Sequence, residues 1–208
     1  MKHKMTALGI ALLLSTVFLS TFVTSASAAQ YIRDYSGAHF TMGGGLTFGG
    51  DTLGTVYYSS GDSADITAGG LIHIYAGLMY HFYDSPIAGR LALGYHFDQA
   101  NARNGTATFD RTTLEAVPFY YLLPYSRIGA GLTLHMSPTL DTQDFGQPNV
   151  DFKDATGLVL EYGYHLGGAM WLDVRYVSIK YELKHPEYYY NTGSADGSHL
   201  GLYISAEF

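Results

Sequence analysis

An all-β, up-and-down barrel of eight antiparallel transmembrane strands, preceded by a cleaved signal peptide, is the fold this sequence predicts. Three observations carry that expectation. Eight segments alternate apolar and polar residues with a period of two. Long polar stretches and short turns take turns in joining them. The chain also holds 19 Tyr, 11 Phe and 25 Gly among its 208 residues, with only 14% charged residues, a balance unusual for an acidic protein dissolved in water. After the leader, polar residues or Gly interrupt every apolar run well before the ~20 residues a membrane helix needs.

The leader comes first. Lys2 and Lys4 precede an apolar run from Ala7 to Val23, and small residues follow, ending in Ala26-Ser27-Ala28. That order is a secretory signal peptide cut after Ala28, leaving residues 29–208 as one barrel domain. Loss of the two lysines moves the formal charge from −7 to about −9. Nucleic acid is thereby excluded as an expected partner. The absence of Cys excludes disulfides and a lipidated N-terminal Cys.

A polar lead containing Arg33 and Asp34 opens the mature chain. In the first strand Phe40, Met42, Gly44, Leu46 and Phe48 point outward and Thr41, Gly43, Gly45 and Thr47 inward. The Gly43-Gly44-Gly45 run lacks both G-x-G-x-x-G and a following Lys-Ser/Thr, so it makes room inside a narrow barrel instead of cradling phosphate. Asp51–Gly70, with Tyr57-Tyr58, reads as a long exposed loop whose base is open to extended structure. The second strand sends Ile72, Ile74, Ala76, Leu78, Tyr80 and Phe82 outward; Asp84-Ser85-Pro86-Ile87 turns the chain. The third puts Leu91, Leu93, Tyr95 and Phe97 outward, and a polar loop with an Asn104-Gly105 turn signal follows. In the fourth, Thr112, Leu114, Ala116, Pro118, Tyr120 and Leu122 face outward; Pro118 predicts a bulge or a lost hydrogen bond. After the turn at Leu123-Pro124-Tyr125-Ser126, the fifth strand presents Ile128, Ala130, Leu132 and Leu134. A third long loop, from about Ser137 to Ala155, carries Asp141, Asp144, Asp151 and Asp154. The sixth strand presents Leu158, Leu160, Tyr162 and Tyr164. Gly167-Gly168 turns into the seventh, with Met170, Leu172, Val174 and Tyr176 outward. Beyond Tyr176 the apolar set changes to Val177, Ile179 and Tyr181, which predicts either a bulge that flips the register or a strand already outside the bilayer. A fourth loop with Tyr188-Tyr189-Tyr190 leads to the last strand, where Leu200, Leu202, Ile204, Ala206 and Phe208 face outward.

A final Phe after alternating apolar positions resembles the closing strand of bacterial outer-membrane barrels. Over the mature chain, eight strands, four long loops and three short turns resemble the eight-stranded outer-membrane β-barrel families of the OmpA type and the OmpX type. The resemblance implies export through the periplasm, residence in the outer membrane among lipids and lipopolysaccharide, recognition of Phe208 by the barrel-assembly machinery, and a monomer. It carries over no peptidoglycan tether.

An eight-stranded barrel encloses only enough space for side chains, so the inward polar residues must satisfy one another. Near the periplasmic end the alternation places Arg90, Arg127, Asp173, Glu207, His81 and His165. At mid-height it places Glu115, Glu161 and Arg175 beside Tyr75 and Tyr203. Both signs occur at each level, which predicts an ion-paired plug. Glu115 and Glu161 read as members of that plug and not as a catalytic carboxylate pair, because Arg175 neutralises them. His73, His96, His135 and His199 form a cluster near the outer rim with Asp98 close by. Without local ligand spacing they predict hydrogen-bonding fill, with no metal and no cofactor; the other chemistry open to imidazole and carboxylate on adjacent strands is to hold Zn²⁺ or to respond to pH.

One pattern points to catalysis. His135-Met136-Ser137 puts a base and a hydroxyl at i and i+2, a spacing that shares one face of a strand. It resembles the His-x-Ser of outer-membrane lipid A deacylases, but Pro138 stands where that family has Asn, no acid stands at the matching position, and the register turns the pair away from lipid; Asp144, Asp151 or Asp154 supplies the acid only if the loop folds back. The expected function is therefore a non-catalytic outer-membrane barrel with a plugged lumen that contributes to envelope integrity or surface interaction through its loops. The alternatives are a lipid A hydrolase using His135 and Ser137, and a narrow solute channel.

Overall fold

A computed structural model describes residues 36–58, 62–102, 105–142, 149–185 and 193–208. The leader, Arg33, Asp34, Asn104, Asp144 and Tyr188–Tyr190 lie outside the described residues. Eight strands, β1 (Gly37–Gly49), β4 (Leu71–His81), β5 (Ile87–Ala102), β6 (Gly105–Leu123), β7 (Ser126–Asp141), β9 (Ala155–Gly167), β10 (Met170–Ser178) and β13 (His199–Glu207), make the wall. Each pairs antiparallel with the next, and β1 pairs with β13, so the sheet closes on itself. Closure satisfies the backbone polar groups within the wall, which is the condition for a sheet to cross hydrocarbon. Five short strands, β2 (Thr52–Tyr57), β3 (Ser63–Thr67), β8 (Val150–Asp151), β11 (Lys180–Glu182) and β12 (Ser194–Asp196), stand above one end.

The predicted faces hold on all eight strands. Phe40, Met42, Leu46, Phe48, Ile74, Leu78, Leu91, Leu93, Leu132, Leu158, Leu160, Leu200 and Leu202 are each about half exposed on the outside, while most residues between them are buried or half-buried within. Such a belt of apolar surface around a closed wall fits only a lipid surrounding. Aromatic residues gather at its ends. Phe40 stacks with Phe208 and Tyr80 meets Phe82 edge to face near the short turns, and Tyr95 packs with Phe97 toward the other end.

Inside, small residues make room for large ones. A Cβ on Gly45 would lie 2.5 Å from Cγ of Tyr203, and one on Gly43 would lie 2.7 Å from Tyr75. Gly45→Val is expected to lower stability by about 1–3 kcal/mol through overpacking, measured by urea unfolding in detergent micelles.

The register decides between two pairs of alternatives and corrects two expectations. First, Pro118 brings no bulge. It sits opposite Gly89 in β5, and the β6–β7 pairing resumes on the same register at Phe119↔Gly129. An outward Pro that interrupts the ladder for two residues suffices. Second, β10 does not flip after Tyr176. Tyr176, Ser178 and Lys180 stay outside while Val177, Ile179 and Tyr181 stay inside, without a register shift at that point. The strand has risen out of the lipid belt, so its outer face turns polar and its inner face keeps an apolar core.

Third, the long loops are largely extensions of strands. β5 and β6 pair as far as Ala102↔Gly105, β2 pairs with β3, β8 adds to β7, and β11 pairs with β12. Polar outer residues disguised these segments as loops. Fourth, the register slips in β7, where Thr112 faces Met136 but Asp110 faces Thr139. Ser137 takes a left-handed conformation, φ 48°, and two residues oppose one there. His135 is inward and Ser137 exposed, whereas Pro138 and Leu140 turn inward.

Candidate functional site

The lumen is filled in layers. Its floor, beside the short turns, is aromatic: Tyr121 packs on Trp171 with centroids 5.8 Å apart, and His81 and His165 lean on these two rings. Above it Arg127 lies over the Trp171 ring at 4.1 Å and over Phe119 at 4.8 Å. Its guanidinium pairs with Glu207 and with Asp173 at 3.2 Å. Glu207 also meets His81 Nε2 at 3.1 Å, and Asp173 accepts from the Ser205 hydroxyl. Each carboxylate here has two partners, as burial requires.

The next layer joins Arg90, Glu115, Glu161 and Arg175. Arg90 donates to both oxygens of Glu161, at 2.9 and 2.6 Å, in a fork that also reaches Tyr75 Oη at 3.2 Å. Arg175 donates to Glu115 at 2.6 Å and stands 2.9 Å from Glu161. Its charge lies over the Tyr203 ring at 4.7 Å. Arg90 therefore belongs with Glu115 and Glu161 at mid-height, and not with Arg127 near the floor as its place along β5 predicted. Strand tilt staggers equal positions on different strands, and a long arginine side chain covers the remaining offset.

Four imidazoles make the third layer. His73 lies 5.1 Å from His96, which lies 5.0 Å from His199 and 6.3 Å from His135, ring centre to ring centre. The alternation thus placed the cluster correctly. Their partners are hydroxyls and backbone: His73 meets Tyr203 Oη and Thr113 Oγ1, His135 meets Tyr181 Oη, and His199 Nδ1 donates to the Gly197 carbonyl. His96 differs, with Thr47 Oγ1 at 2.8 Å from Nε2 and Arg111 Nη2 at 2.7 Å from Nδ1. Asp98 faces the same space, its carboxylate accepting from the amide and the hydroxyl of Thr67. Among the described residues no group of three or more His, Cys, Asp or Glu is arranged to hold a metal ion.

Over this layer sits an apolar cap that the sequence reading missed. Phe109, Phe152 and Tyr181 pack edge to face at 5.7 to 6.1 Å, with Ile66, Leu140, Ile179 and Leu183 buried around them. Arg111, 1% exposed, extends beneath Phe109 with its guanidinium 4.7 Å from that ring. The signal was present in the inward parity of Arg111 and Phe109, but both stand where the outer face had already turned polar. The cap is knitted across hairpins by Asp51 N–H to the Asp196 carbonyl, Lys153 N–H to Glu182 and Lys184 N–H to Asp151. Hydrogen bonds from Ser198 hold the Asp196 carboxyl below the usual carboxylate range.

The His-x-Ser pair does not assemble. The bulge that exposes Ser137 leaves His135 inside against Tyr181, so the hydroxyl and the imidazole emerge on opposite sides of the wall. Asp154 does reach Ser137, but through the backbone amide at 2.8 Å.

A closed eight-stranded wall with an apolar belt, aromatic ends, short turns on one side and long hairpins on the other has the architecture of an eight-stranded transmembrane β-barrel of the outer-membrane type. Solved barrels share this outline at low identity. Neisserial surface protein A matches at 14% identity and a TM-score of 0.49, over 83% of this chain and 98% of its own. The attachment invasion locus protein Ail of Yersinia pestis, solved with the heparin analogue sucrose octasulfate, matches at 11% and 0.47, over 82% and 97%. The outer membrane protein OprG of Pseudomonas aeruginosa matches at 14% and 0.46, over 83% and 96%. No protein-family model and no curated sequence matches the chain.

Proposed function

We propose that this chain is a non-catalytic outer-membrane barrel that acts through its outer surface, in envelope integrity or in contact with partners outside the cell. The observation that carries the reading is the lumen, which side chains fill at every level from Trp171 to Phe152. Transport needs a continuous path, and two ion-paired layers with an aromatic floor and an apolar lid leave none for a hydrated solute. What remains for function is the cap, an ordered platform with Tyr57 exposed on its β2–β3 hairpin. An exposed Tyr favours contact with another macromolecule. In this reading the leader directs export, the barrel lives as a monomer among outer-membrane lipids and lipopolysaccharide, and Phe208 serves as its assembly signal.

The test uses purified protein in planar bilayers together with cells expressing it. No step-like ion conductance is expected at neutral pH, and lipid A analysed by mass spectrometry should keep all its acyl chains. Steady conductance steps would replace this reading with the channel. Loss of an acyl chain that is abolished by Ser137→Ala would replace it with the hydrolase.

A further inference from the structure

Among the four clustered imidazoles, His96 alone faces a group that can only donate. His73, His135 and His199 are bonded to hydroxyls or to a carbonyl, and these accept a hydrogen bond from an imidazolium as readily as from a neutral ring. Arg111 has no lone pair to offer. Its Nη2 lies 2.7 Å from Nδ1 and 3.3 Å from Nε2 of His96, while the Thr47 hydroxyl meets Nε2 at 2.8 Å, so this contact needs a ring nitrogen without a proton. A second proton would set two cations face to face in a space where Arg111 and His96 are each 1% exposed.

The two acids whose charge reaches this layer, Asp98 and Glu115, are both engaged elsewhere. β4 brings His73, β6 brings Arg111, β7 brings His135, β13 brings His199 and β1 brings the neutral Thr47. On β5 itself Asp98 faces the same way, but its carboxylate is tied to Thr67 of β3. Glu115, the next acid along β6, is held by Arg175 of β10. Tyr181 of β11 bonds His135 from above. Among the described residues, no carboxylate is hydrogen-bonded to any of the four imidazoles.

We infer that the His96–Arg111 contact is an acid-sensitive latch: protonation of His96 expels the Arg111 guanidinium and frees the extracellular cap packed on it. The lever is short. Arg111 supports Phe109 and lies 5.9 Å from the centre of the Tyr181 ring, and these two residues with Phe152 are the centre of the cap. The ion-paired layers below contain their own carboxylates, so acid loosens the cap ahead of the wall. The inference goes beyond the surface-contact reading by giving that surface two states, closed at neutral pH and open in acid.

The chain has no Cys, so labels can be placed freely. Spin labels on Tyr57→Cys of β2 and Glu182→Cys of β11, both exposed, report the spacing of two cap hairpins by pulsed electron resonance in liposomes. A narrow distance distribution at pH 7.5 that broadens by pH 4.5 is expected. Histidine ¹⁵N NMR on the same protein should show His96 passing from a neutral ring to imidazolium over that interval. His96→Gln keeps one acceptor for Arg111 and one donor for Thr47 but does not titrate, and should stay narrow at pH 4.5; its narrow distribution at pH 7.5 certifies its fold. The latch is overturned if the wild-type distribution stays narrow while His96 protonates, if His96 stays neutral down to pH 4.5, or if His96→Gln broadens as the wild type does. Bilayer conductance at neutral pH tests the plugged-barrel reading independently of all three outcomes.

Discussion

Arg127→Met is expected to destabilise the folded barrel by about 3–5 kcal/mol, the cost of leaving buried carboxylates without their cation. Arg127 is fully buried and serves Glu207 and Asp173 together, so its loss strands two acids at once. His81 and Ser205 remain for them, one hydrogen bond each, which is less than a buried carboxylate needs. The guanidinium also lies over Trp171 and Phe119, and methionine replaces only part of that packing. Urea titration in micelles, followed by the heat-modifiable shift on gels, measures the loss. Adding Glu207→Gln and Asp173→Asn to Arg127→Met should recover much of it, because the penalty comes from uncompensated charge. A single variant as stable as wild type would mean that water already reaches this layer.

Leu202→Arg carries the second large effect, about 2–4 kcal/mol of destabilisation in a lipid bilayer. Leu202 is half exposed in the middle of β13, between Leu46 of β1 and Val174 of β10. On a water-facing sheet the same exposed change would move stability by no more than about 0.5 kcal/mol. Refolding into liposomes across a urea series separates the two cases, and a neutral result would contradict the lipid-facing belt.

Much of this architecture was legible in the sequence because the strand has a strict period of two. One reading of parity fixed the lipid face and the lumen face of all eight wall strands, and it placed Arg90, Glu115, Arg127, Glu161, Asp173, Arg175 and Glu207 inside. Height was less legible than face. Position along a strand does not give position along the barrel axis until the stagger is known, and Arg90 was misplaced for that reason. Beyond the lipid boundary the signal changed meaning. Outer positions such as Gln99, Ser178 and Lys180 became polar while Phe109, Ile179 and Tyr181 continued inward, so the pattern resembled a broken strand. The Ser137 bulge was silent because a left-handed serine leaves no compositional trace. It alone decided whether His135 and Ser137 shared a face.

The pairing of β1 with β13 has a kinetic consequence. Met42 must find Ala206, so the first wall strand waits for the last before the ring can exist. Until then the nascent sheet has two raw edges, each a template for pairing with any other extended chain. Contacts this distant along the sequence form slowly. The interval between synthesis and closure is the vulnerable period of this molecule's life, and Gly43, Gly44 and Gly45 lie on the very edge that must be kept unpaired through it.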